Sequence, residues 1–232
     1  MTRPSVALLQ HAPNEGGGII EEIILDREIP FRRIELFSDH EIPPIKATHL
    51  VVMGGPMSVN DEKELPWLVQ EKRLIREHIG RRAPVLGICL GAQLIASAGE
   101  AEVYPCIPEL GWSPVRKVFA QFNLLPERFM AFQMHGETFE LPRGAELTCK
   151  GDLVHNQAFS WGSALGFQFH LELTGEMIRE WISGISQEEQ AAVLHENRVY
   201  ISHSNDLCRR VAERFLAAPS HGFSWIRQGD EL

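Results

Sequence analysis

Cysteine is scarce in this chain of 232 residues. The four present, Cys89, Cys106, Cys149 and Cys208, form no CxxC pair. That spacing excludes a zinc ribbon and offers no disulfide framework, so free thiols and no bound metal are expected. Long apolar runs are also missing. None approaches the roughly 18 residues of a membrane-spanning helix, and the run Val6 to Leu9 is too short for the core of a secretory signal. A cytoplasmic location with no membrane partner is the expectation. Excess positive charge is lacking too. A formal net charge of -9 disfavours a nucleic-acid phosphate backbone. There is no internal repeat, low-complexity tract or long linker.

What is present is an ordinary globular composition, 44% hydrophobic and 23% charged. The length allows a substantial core without staples. Up to residue 100, apolar runs alternate with helical stripes. SVALLQ (5–10), FRRIELF (31–37), THLVVMGG (48–55) and APVLGI (83–88) read as strands. IIEEIILDRE (19–28), the segment 66–82 and LGAQLIASAGE (90–100) read as helices. The face of 66–82 is expected to carry Trp67, Leu68, Leu74, Ile75 and Ile79. HAPNEGGG reads as a loop. Strands apolar on both faces, alternating with helices, predict an α/β fold with a mostly parallel central sheet flanked by helices. Later, 112–119, 128–134, 153–161 and 164–170 read as strands joined by turns. The last quarter reads as helical, in TGEMIREWISGI and DLCRRVAERFLAA. One domain over 1–232 is expected, with a core of about 5–180 and a helical extension of about 181–232.

The stretch PVLGICLGAQ (84–93) puts Cys89 between Gly87 and Gly91, at a predicted strand-to-helix junction. Ligands of open α/β sheets bind beyond the carboxyl ends of strands. A sharp strand–nucleophile–helix turn needs small neighbours, because side chains there would strike adjacent backbone. The helix N-terminus behind Cys89 favours negative charge on its sulfur. A lone free cysteine is nevertheless more often core. Two further blocks shift that balance. In GFQFHLELTGE (166–176), His170 and Glu172 are two residues apart and share a face if the strand continues to 172. A thiol nucleophile needs an imidazole base, and the imidazole needs a carboxylate to orient it. In VVMGGPMS (51–58), paired glycines after a buried strand let backbone approach a ligand, with Gly55 N–H as a candidate oxyanion donor.

GICLGAQ, with FQFHLE downstream and GGPMS upstream, resembles the class I (triad) glutamine amidotransferases, most nearly the stand-alone relatives of the glutaminase domain of GMP synthase. PELGW (108–112), MHGETFELP (134–142) and NQAF (156–159) extend the resemblance over roughly residues 5 to 180. It implies a flavodoxin-like fold in which Cys89 is the nucleophile, His170 the base and Glu172 its orienter. It implies an oxyanion hole from the Gly55 and Leu90 N–H groups. It places Met57, Gln93, His135, Gly136 and Glu137 at the substrate. The implied reaction is hydrolysis of the glutamine side-chain amide through a cysteine thioester, giving glutamate and ammonia, with no cofactor. Relatives commonly have H-P-E where this chain has His170-Leu171-Glu172. These residues hold no SGGxDS-type phosphate loop, so an ATP-dependent synthetase is expected on a separate chain. An alternative is a stand-alone hydrolase of γ-glutamyl peptides or conjugates. The least favoured reading is a non-catalytic module. Cys106, Cys149 and Cys208 are expected to be spectators, and Trp67 and Trp181 core residues.

Overall fold

The computed structural model describes residues 3–39 and 41–226. Five short strands form the parallel half of one nine-stranded sheet: β1 (Val6–Gln10), β2 (Phe31–Glu35), β3 (His49–Val52), β4 (Val85–Ile88) and β9 (Ala164–Phe167). Their order, β2-β1-β3-β4-β9, reverses direction between β1 and β3. That reversal is the crevice where open sheets of this kind take their ligands. β5 (Val103–Lys117), β6 (Arg128–Phe139), β7 (Glu146–Gly151) and β8 (Asn156–Trp161) continue the sheet as β8-β7-β5-β6, all antiparallel. The fold is the expected α/β class, with a mixed sheet flanked by helices.

Both faces of β1, β3, β4 and β9 are covered, which is why these strands are apolar without alternation, whereas the edge strand β2 exposes Arg32 and Arg33. Val6 and Leu8 pack toward α1 (Gly18–Asp26) and α6 (Gln187–Leu216), against Ile20, Ile24, Leu207 and Phe215. Ala7 and Leu9 pack toward α3 (Trp67–Gly80) and α4 (Leu90–Ala98), against Leu68, Ile75, Leu94 and Ile95. The face of α3 differs from expectation. Leu74 and Ile79 are only half-buried, while Glu71, Lys72 and His78 are buried. Ser186 and Glu189 form a reciprocal capping box that starts α6 well before the apolar segment DLCRRVAERFLAA.

Three strand readings need correction. FRRIELF is strand only to Glu35, and a four-residue turn of helix, α2 (Leu36–Asp39), follows. β5 runs far upstream of 112, through Pro105 and Pro108, which lack amide donors. The register shift between Pro105 and Glu109 accommodates them. β9 ends at Phe167, so His170 and Glu172 do not lie on one continuous strand. His170 instead makes an isolated bridge to Phe132, with its N–H donating to the Phe132 carbonyl at 2.8 Å. The helix expected over TGEMIREWISGI is α5 (Gly175–Trp181), capped by Thr174, followed by one 3-10 turn. Among the described residues no helix is long and apolar enough to cross a membrane.

Candidate active site

Cys89 sits between β4 and α4 with φ 51° and ψ -107°. A non-glycine residue rarely adopts this conformation, and such strain costs of order 1–3 kcal/mol. Its neighbours explain how the turn closes. A Cβ on Gly91 would overlap the Val52 carbonyl of β3, and one on Gly87 would come within 2.5 Å of the Gly91 oxygen. The glycines on both sides let α4 start against the strand ends. Leu90 opens α4, so its N–H has no intrahelical acceptor.

His170 and Glu172 meet behind Cys89. His170 Nδ1 donates to Glu172 Oε1 at 2.7 Å, and Leu171 N–H donates to Glu172 Oε2 at 3.0 Å. Both side chains are 1% exposed, so water does not screen the pair. The Glu172 carbonyl is anchored in turn by Ile19 N–H at 2.9 Å. Burial opposes a charge on His170, yet the Glu172 carboxylate and the adjacent Cys89 sulfur raise its pKa well above 6.5. Nε2 of His170 has no well-aligned hydrogen-bond partner among the described residues. Trp181 closes the other side, edge-on to the imidazole at 4.9 Å, and its Nε1–H holds the Asn14 carbonyl at 2.8 Å.

In front of Cys89 is an open cleft of about 730 Å³. Of the residues expected at the site, Gly55, Met57, Gln93, His135, Gly136 and Glu137 line it together with Cys89. Leu90, His170 and Glu172 do not; the last two lie behind the sulfur. Gln93 Nε2 donates to the Glu137 carbonyl at 3.1 Å, and Ser58 Oγ to Glu137 Oε1 at 3.0 Å. His135 Nε2 lies 3.1 Å from the buried Glu109 carboxylate, which also accepts from Gln157 at 2.9 Å. Among the described residues no group of three or more His, Cys, Asp or Glu is arranged to hold a metal ion.

Several residues at the site carry no sequence motif of their own. Glu109 and Ser58 fall inside the blocks PELGW and GGPMS, with nothing to distinguish them there. The segment after β1 reads only as a loop. Its His11 accompanies Gly54, and its Glu15 carboxylate packs against Gly54 beside His170. Burial raises the Glu15 pKa, opposed by the charges of His170 and His11. The available signal was position, since His11 directly follows a buried strand at its carboxyl end. Cys106, expected to be a spectator, lies 3.8 Å from His135 Nδ1 at the cleft. Cys149 is fully buried, and burial pushes its thiol up to about 12.

The family described as glutamine amidotransferase class-I matches residues 25–182, more than half of the chain. The glutamine-hydrolysing GMP synthase of Thermomicrobium roseum is 34% identical over 130 residues, covering 53% of this chain and 23% of that protein. This chain therefore spans less than a quarter of that relative's length. One of the subunits of the glutamine-hydrolysing GMP synthase of Methanopyrus kandleri is 27% identical over 159 residues, covering 62% of this chain and 77% of its own. The crystal structure of a glutamine amidotransferase from Thermotoga maritima superposes with a TM-score of 0.86 at 29% identity, covering 94% of this chain and all of that one.

Proposed function

The chain belongs to the class-I glutamine amidotransferase family, and from that premise we propose that it hydrolyses a γ-glutamyl amide, glutamine first, through a thioester on Cys89. The observation that carries this reading is the strained Cys89 turn, open to a cleft in front and backed by the buried His170–Glu172 pair. The Cys89 thiolate attacks the side-chain amide carbon. The oxyanion accepts hydrogen bonds from the N–H groups of Gly55 and Leu90, each such donor contributing roughly 2.7–4 kcal/mol in other enzymes. His170, held as imidazolium by Glu172, gives its proton to the departing nitrogen. Ammonia leaves and the γ-glutamyl thioester remains. Neutral His170 then takes a proton from water, the hydroxide attacks the thioester, and glutamate leaves with the Cys89 thiolate restored. Met57, Gln93, His135, Gly136 and Glu137 hold the amino-acid end of the substrate. By analogy with the Methanopyrus kandleri relative, which is one of several chains of a synthase, the ammonia passes to a synthetase on another chain.

A second reading is favoured by one feature. The cleft, at about 730 Å³, is in the range of pockets for ligands larger than free glutamine. The same triad would then cleave a γ-glutamyl peptide or conjugate, with an amine leaving instead of ammonia. Assays of the purified chain with glutamine, γ-glutamyl dipeptides and γ-glutamyl amines separate the readings. Glutamine turnover that rises with a co-purifying synthetase supports the first. Partner-free turnover of the larger amides supports the second. Inertness toward all of them, and toward thiol-directed glutamine analogues, would overturn both and leave a non-catalytic module.

A further inference from the structure

His11 lies at the carboxyl end of β1 and Gly54 at that of β3, side by side at the point where the strand order reverses. His11 Nδ1 is 2.9 Å from the Gly54 carbonyl oxygen. Its Nε2 is 2.9 and 3.1 Å from the two carboxylate oxygens of Glu71 on α3. Both side chains are 0% exposed. The Trp67 ring, one turn earlier on α3, stacks on the imidazole at 5.6 Å and 24°. A carbonyl oxygen only accepts hydrogen bonds, so Nδ1 must carry a proton. A carboxylate facing Nε2 requires a proton there as well. The imidazole is then a cation, buried and paired. Burial alone would lower the pKa of His11, but Glu71 and the Gly54 carbonyl raise it above 6.5.

The Gly54 carbonyl and the Gly55 N–H belong to one peptide unit, and the described chain has no cis peptide bond. In a trans peptide these two groups point in opposite directions. Fixing the carbonyl toward His11 therefore fixes the N–H away from it. Gly55 N–H donates to no protein acceptor among the described residues, and Gly55 lines the cleft beside Cys89.

We infer that the buried His11–Glu71 pair positions the oxyanion site by holding the 54–55 peptide with its N–H turned toward the cleft. This rests on the reading of Gly55 as an oxyanion donor. A glycine-rich loop by itself has little preference between the two orientations of such a peptide. A charge-assisted donor on the carbonyl selects one of them. His11 does not touch the reacting atoms in this account; it acts through Gly55. Glu71 acts one step further back, by keeping the imidazole charged and oriented.

The test compares His11→Ala, His11→Asn and Glu71→Gln in the full chain. Asparagine keeps an N–H near the Nδ1 position and serves as the conservative variant. Glu71→Gln keeps the side-chain shape on α3 should His11→Ala fold poorly. Three readouts are taken: kcat and KM for glutamine, the rate of Cys89 alkylation by iodoacetamide, and the 54–55 peptide orientation in crystals. Alkylation needs a reactive sulfur but no oxyanion site. Losing one oxyanion donor costs about 10²–10³-fold in kcat elsewhere. The expectation for His11→Ala is a kcat loss of about that size, KM within about threefold, and alkylation within about threefold. Asparagine should recover at least about tenfold of the lost kcat, and the alanine variant should show the peptide turned. Folded variants with wild-type kcat, alkylation falling in step with kcat, or an unturned peptide in His11→Ala would each overturn the proposal. A wild-type chain inert toward every γ-glutamyl amide, with the peptide still turned in the variant, would sink the hydrolase reading while leaving the positioning role standing.

Discussion

Replacing Glu172 by glutamine should remove most of the turnover while leaving substrate binding nearly intact. Two buried donors, His170 Nδ1–H and Leu171 N–H, are each met by one oxygen of Glu172, at 2.7 and 3.0 Å. Glutamine has a single oxygen. If that oxygen serves Leu171, the amide NH₂ faces Nδ1, which must then accept. The imidazole proton moves to Nε2, and the ring can no longer take a proton from Cys89 there. If the oxygen serves His170, the buried Leu171 N–H is orphaned at a cost of about 1–3 kcal/mol. In both cases the counter-charge is gone. Burial then governs His170 and lowers its pKa, so the imidazolium that should accompany the thiolate is lost at neutral pH. An equivalent change in a serine protease triad costs about 10⁴ in kcat. A fall of about 10³–10⁴, or about 4–5.5 kcal/mol at 1.36 kcal/mol per decade, is expected here. KM should move little, because Glu172 lies behind Cys89 and outside the cleft lining. The assay is ammonia release from glutamine, with the pH dependence of iodoacetamide alkylation in parallel and melting temperature as the check on folding. A variant with unchanged melting temperature and kcat within tenfold of wild type would refute this chain of reasoning.

Two further predictions concern the scaffold. Gly91→Ala must push against the Val52 backbone rather than a movable side chain, so a loss of about 2–3 kcal/mol is expected. Gly80→Ala, with nothing within 4 Å of the added Cβ, should be neutral or slightly stabilising, and thermal melting of the two side by side decides it. His49 is 1% exposed on β3, and burial lowers its pKa to about 4. Because the folded value lies below the unfolded one of about 6.5, its contribution is intact above that pH and drains away as pH falls toward 4. Between pH 7 and 4.5 that amounts to about 2.5 kcal/mol, which His49→Gln should not lose. Urea unfolding at both pH values would show parallel losses in the two proteins if the reasoning is wrong.

The parallel half of the fold was legible because its strands are short, all but the edge strand β2 apolar on both faces, and separated by helical stripes. The antiparallel half was less so. Pro105 and Pro108 argue against a strand unless a bulge is already known, and in β7 Cys149 is the one buried apolar residue, next to a buried Thr148. The blocks around Cys89, His170 and Gly55 could be read because close approach and proton transfer restrict residue types there. His170 meets Glu172 although the regular strand ends at Phe167. Phe169 and Leu171 still join Phe167 in one core cluster, and the isolated bridge from His170 to Phe132 holds the segment in place. His11, Glu15 and Glu71 were hidden because their roles arise from neighbours distant in sequence. Glu71 in particular looks like any polar helix residue until the His11 ring is found beside it.

The central claim is that the γ-glutamyl group passes through the sulfur of Cys89. Acid-quenched intact-mass analysis during turnover, followed by peptide mapping, reads this directly. The account predicts one glutamyl group on Cys89 of the wild-type chain, labile to hydroxylamine, and neither adduct nor ammonia release from Cys89→Ala. Ammonia release by Cys89→Ala at the wild-type rate, or an adduct confined to Cys106, would contradict it.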